Sequence, residues 1–101
     1  SQADSSEDPA TGVLRLRSVL DLQAAAPLAR EFAERRGHFV VVNGEEVTRV
    51  GAQCAQVLAS AVLTWRQESI PLAFAECSEP MIEDLKTMGI EGFILNGSGR
   101  Q

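Results

Sequence analysis

Phe39-Val40-Val41-Val42 is an unbroken apolar run, mostly β-branched, and it restricts the fold more than any other stretch. A short run of this kind suits a strand covered on both faces. Segments with helical spacing lie on either side of it. A strand set between helices is the pattern of an α/β domain, in which crossover helices connect parallel strands. Before the run, Asp21 to Gly37 reads as a helix. Leu28, Phe32 and Ala29 form its apolar stripe, while Arg30, Glu31, Glu34 and Arg35 are expected to face water. Pro27 is expected in the first turn, where a missing N–H is harmless, and Gly37 just past the end. After the run, Asn43-Gly44-Glu45-Glu46 makes a turn, and Val47 to Val50 leads into a long helix over about Ala52 to Glu68. Cys54, Val57, Leu58, Ala61, Val62 and Trp65 mark its buried side by their spacing.

The remaining segments complete the pattern. Val13, Leu14, Leu16, Val19 and Leu20 alternate loosely with Arg15, Arg17 and Ser18, as in a partly exposed strand. Ile70 to Ala75 is another short buried strand. Ser78 caps a helix with Pro80 in its first turn; Met81, Ile82, Leu85 and Met88 point inward and Gly89 ends it. Phe93 to Leu95 is expected to add a last short strand. The 101 residues fit one domain. The expected architecture is a single domain at 12–95, with a mostly parallel, mixed sheet of about four strands and three main helices. Residues 1–11 are polar and acidic and read as a flexible tail; residues 96–101 read as a second one.

Composition excludes several classes. The net charge is -5, which disfavours nucleic acid as a partner. No apolar run approaches the roughly 20 residues that span a bilayer. The N-terminus lacks the basic-then-apolar order of a signal peptide. The two cysteines, Cys54 and Cys77, are too few for a disulfide framework and fit a reducing, cytoplasmic setting. His38 stands alone at a helix-to-strand junction, with no nucleophile or metal partner evident. No strand is followed by a Gly-rich phosphate loop, and no Cys/His set has metal-ligand spacing. Glu45-Glu46 and Glu83-Asp84 are sequence neighbours that point different ways, as solvated surface does. Asp21 fits a helix cap. Arg15 and Arg17 share a strand face, as edge protection or as a small basic contact. No catalytic residue, metal or cofactor is expected, and the function that remains is protein binding.

In order, these elements resemble the STAS family, the domain of anti-sigma-factor antagonists. Val13-Leu14-Arg15-Leu16 and Val19 to Leu28 resemble its strand, Leu-Asp and Ala-Pro-x-Leu helix start. Val40 to Asn43 followed by Val47-Thr48-Arg49-Val50-Gly51-Ala52-Gln53-Cys54 resembles its apolar strand and switch loop. Pro71 to Phe74, Ser78-Glu79-Pro80 and Leu85 to Ile90 resemble its closing strand and last helix. In the family's switch members, a serine at the second-helix start is phosphorylated; here Ala52 takes that place and Gly51 that of the preceding aspartate. The resemblance thus implies a binding surface without the phospho-switch.

The stretch Arg49 to Leu58, with Thr64-Trp65 and Ser78-Glu79, is more closely similar to small alphaproteobacterial chemotaxis STAS proteins such as CheS. That likeness implies an adaptor that docks on the chemotaxis histidine kinase CheA and modulates phosphate flow to its response regulators. The candidate contact residues are Arg49, Gly51, Ala52, Gln53 and Gln56, with Gly44, Glu45 and Glu46 nearby. The alternatives are a regulatory STAS subunit of a lipid-transport ABC system, an anti-sigma-factor antagonist lacking its serine, and a small-ligand binder. A sheet edge left open ahead of Val13 makes a homodimer a further possibility.

Overall fold

The apolar run supplies the middle strand of a three-stranded parallel sheet in the structure, a computed structural model that describes residues 12–96. In chain order the elements are β1 (Val13–Arg15), β2 (Val19–Leu20), α1 (Leu22–Glu34), β3 (Val40–Asn43), β4 (Arg49–Val50), α2 (Ala52–Gln67), β5 (Leu72–Ala75) and α3 (Glu79–Thr87). A π-helical turn, Gly92–Asn96, follows. The main sheet has the order β1-β3-β5, and β2 and β4 form a separate parallel pair. This is the small α/β fold expected of a STAS-like chain. Of the expected tails, residues 1–11 and, from 96–101, residues 97–101 lie outside the described residues, while Asn96 closes the π-helical turn.

The first strand is broken in two, and the register says why. Val13 faces Val41, 28 positions further on, whereas Val19 faces Arg49, 30 positions further on. The second partner therefore carries two more residues across the break, and they form a turn. Val47 N–H donates to the Gly44 carbonyl to close that turn, and the Asn43 side chain accepts from Glu45 N–H. Gly44 is buried at the hinge, where a Cβ would stand 2.6 Å from the Met81 sulfur. A larger residue there would oblige the flexible Met81 side chain to shift.

One face of β3 is closed and the other half-open. Val40 and Val42 are fully buried, whereas Val41 and Asn43 are only half-buried. The run is thus covered more fully on one face than on both, and Phe39, expected within it, precedes the strand and is half-exposed. Val40 and Val42 belong to the same apolar core as the buried residues of α1 and α2. Between those helices Trp65 meets Phe32 edge to face, ring centroids 5.9 Å apart. The indole N–H donates to the His38 carbonyl at 2.7 Å, satisfying the polar end of a side chain that is otherwise core.

Several local expectations need correction. Arg35 is buried, its guanidinium folded back on Glu31 at 2.7 Å, with the Glu31 carbonyl 3.0 Å away; Ala29, by contrast, is exposed. Arginine's long stem covers apolar surface while its head is paired, which a helical wheel misses. Helix α1 begins at Leu22, so Pro27 lies inside it and not in the first turn. It lacks the N–H that would reach the carbonyl of exposed Gln23, one turn back. Phe93 to Leu95 forms a π-helical turn with Ile94 buried and Phe93 outward, near Arg66, instead of a strand. By contrast, α3 ends as its sequence indicates: Gly89 has φ +78°, Gly89 N–H donates to Lys86 and Ile90 N–H to Leu85.

Candidate protein-docking face

Helices α1 and α2 start side by side, at the carboxyl ends of β2 and β4. Two capping residues of opposite kinds set this up. Asp21 caps α1 by accepting from Ala24 N–H at 3.2 Å. Gly51 precedes α2 without any side-chain cap, and its N–H donates to the Leu20 carbonyl at 2.8 Å. A Cβ on Gly51 would sit 3.2 Å from that same carbonyl oxygen, so a small residue lets the two strand ends close up. Cys54 reaches across from the first turn of α2 to the Asp21 carbonyl at 3.3 Å. Burial raises its thiol pKa, the charge of Asp21 raises it further, and the charge of Arg17 opposes them.

Four of the candidate contact residues are exposed at this end: Arg49, Ala52, Gln53 and Gln56. Val50, Cys54 and Ala55, interleaved with them, are buried. Gly51 is half-buried between the helix starts. The other candidates are placed differently. Glu45 and Glu46 are exposed on a turn tied to the start of α3, because Gly44 donates to Ala75 and accepts from Ser78. Gly44 itself is buried, so it shapes the turn and offers a partner little surface.

Residues outside the expected set border this end or support it from behind. Val19 is 42 % exposed and Leu22 70 % exposed, large apolar side chains left in water. Val19 lies directly beside Arg49 in the β2–β4 pair, with exposed Arg17 two positions before it. Asp84 acts from behind: its carboxylate accepts from Val50 N–H at 2.8 Å, holding the outer edge of β4 against α3. Ser78 adds a second tie, its hydroxyl donating to the Val47 carbonyl while accepting from Met81 N–H. The sequence marks Ser78 as a cap, but no local signal marks Asp84, whose partner is 34 residues away.

A groove between α1 and α2, lined by Ala33, Val57, Ala61 and Trp65 among others, holds about 180 Å³. Small-molecule sites run to roughly 300–1,000 Å³, so this groove does not suit a nucleotide or lipid. Among the described residues, no group of three or more His, Cys, Asp or Glu could hold a metal ion, and no helix is long and apolar enough to cross a membrane.

No curated protein and no solved structure matches the chain. A family model described as "Mlab, STAS domain" matches residues 3–96, nearly the whole length, and includes every element described above. The chain therefore belongs to the STAS domain family.

Proposed function

We propose that the chain is a non-enzymatic regulator that docks through the starts of α1 and α2 on the histidine kinase CheA and modulates phosphate flow to its response regulators. Membership of the STAS family supports a regulatory, protein-binding role. The observation that carries the reading is the exposure of Arg49, Ala52, Gln53 and Gln56 around buried Val50, Cys54 and Ala55. The stretch bearing these residues is also the one most similar to the small chemotaxis STAS proteins. Ala52 has no hydroxyl, so binding at this face is constitutive and is not gated by phosphorylation there. A kinase partner of this type would place the chain in the cytoplasm.

The description of the matching family favours one second reading, a MlaB-like regulatory subunit seated on the ATPase of a lipid-transport ABC system. Titration against each purified partner separates the two readings. Binding of CheA at micromolar concentration, weakened by Ala52→Glu, is the expected result. Absence of CheA binding together with capture by the ABC ATPase would transfer the assignment to the second reading.

A further inference from the structure

We infer that Asn43 followed by Gly44 is a latent modification site, at which the Asn43 amide is lost spontaneously whenever the turn after β3 opens. Both asparagines of the chain, Asn43 and Asn96, precede a glycine. Asparagine is among the thermolabile side chains, and it reacts most readily before glycine, whose nitrogen no Cβ shields. In the reaction the Gly44 nitrogen attacks the Asn43 side-chain carbonyl carbon and forms an N–Cγ bond. The Cγ–Nδ2 bond breaks, and the amide leaves as ammonia with the proton of the Gly44 nitrogen. The cyclic succinimide that remains is opened by water at either carbonyl, giving aspartate or isoaspartate at position 43.

The fold primes the electrophile and restrains the nucleophile. Asn43 Oδ1 accepts from Glu45 N–H at 3.0 Å, which polarises the amide carbonyl and favours the oxyanion formed on attack. Gly44 N–H, by contrast, is engaged with the Ala75 carbonyl at 3.3 Å. Asn43 is also the last residue of β3, in register with Arg15 and Ala75, and its carbonyl accepts from Leu16 N–H at 2.9 Å. An extended residue must rotate about its ψ bond before the next nitrogen can reach Cγ, and here that rotation breaks the end of the ladder. The Gly44 carbonyl adds restraint by accepting from Val47 and Ser78 N–H at 3.2 and 3.1 Å. All of these bonds lie at one end of the sheet, so local opening releases them without unfolding the core. Isoaspartate at position 43 routes the main chain through Cβ. The extra backbone atom puts Gly44 out of register with Ala75, Val47 and Ser78.

The test is incubation of the full 101-residue chain in mildly alkaline buffer, with tryptic mapping by mass spectrometry. Cleavage after Arg36 and Arg49 separates Asn43 from Asn96. In urea the two asparagines should convert at similar rates, since each precedes glycine. In the folded chain Asn43 should convert about tenfold or more slowly than in urea, with isoaspartate among the products. The factor of slowing should match the protection of the Gly44 amide in hydrogen exchange, because the same opening frees that nitrogen. Ser78→Ala removes the hydroxyl tie to Val47 and should speed conversion by more than its fall in urea midpoint explains. The aged wild-type chain should lose protection at the Val47 amide, and Asn43→Gln, incubated alongside, should keep it. Equal rates in the folded and unfolded chain would overturn the inference. So would slowing that follows global stability and not Gly44 protection, or Val47 protection that survives conversion at Asn43.

Discussion

Replacing Asp84 by alanine separates the docking face from its support, and the structure allows the cost to be worked out. The Asp84 carboxylate accepts from Val50 N–H at 2.8 Å, and Val50 is 4 % exposed. Leaving a largely buried amide without its acceptor costs about 1–3 kcal/mol. Two smaller effects oppose this. Alanine is the better helix former by a few tenths of a kcal/mol, and removing a negative charge near the C-terminal end of α3 gains a similar amount. The loss of the acceptor wins, leaving a net destabilisation of about 1–2 kcal/mol. With a urea slope of about 1 kcal/mol per molar for a small domain, the unfolding midpoint should fall by roughly 1–2 M. Asp84→Asn keeps an acceptor oxygen and should recover most of that loss. Hydrogen exchange gives the local readout: the Val50 amide should exchange about tenfold or more faster in Asp84→Ala than the global loss explains. An unchanged midpoint together with unchanged Val50 protection would refute the claim that this carboxylate holds β4.

Trp65→Ala removes a 1 % exposed side chain and should cost about 3–5 kcal/mol, a large share of the roughly 5–15 kcal/mol of a small domain. Trp65→Phe keeps a ring against Phe32 but leaves part of the indole's space empty and frees the His38 carbonyl, at an exposed residue, so about 1–2 kcal/mol is expected; equal midpoints for the two variants would show that packing is not what Trp65 contributes. Ala52→Glu should leave the urea midpoint unchanged or slightly higher, because α2 has no acidic residue in its first turn and a carboxylate there gains about 0.3–1 kcal/mol. A clear fall would show Ala52 packed and not exposed. Burial pushes the Cys54 and Cys77 thiols up. Since the folded values are raised, this stabilisation is fully present below the unfolded thiol value of about 8.5 and is lost as pH rises through the folded values. Urea midpoints should fall from about pH 8.5 upward, and less steeply in Cys54→Ala; with no tyrosine in the chain, identical slopes would refute a protected thiol.

The elements whose partners lie within a turn or two are legible in the sequence. The apolar spacing from Cys54 to Trp65, the Ser78 cap and the Gly89 terminus each depend on neighbours close in the chain, and each appears where its pattern places it. What escapes sequence reading depends on residues far away. The break between β1 and β2 follows from two additional residues in the facing strand, and nothing within 13–20 encodes it. Phe93 to Leu95 is too short for periodicity to decide between strand and helix. Arg35 carries the composition of a wet position yet is covered by its tertiary surroundings. At the candidate face, Val19 and Leu22 are apolar yet stand in water. Asp84 looks like surface and holds a strand edge.

The ties from Ser78 and Asp84 back to Val47 and Val50 also fix when the face becomes usable. All of its contact residues lie in the first 56 positions, yet both anchors belong to the last third of the chain. During synthesis, a nascent chain that has delivered α1, β4 and α2 still lacks the groups that hold β4 in place, and such long-range closures form late. If this face docks a partner, it is therefore competent only once α3 has formed, and a fragment ending after α2 would carry the candidate contact residues without the ties that hold β4 in place.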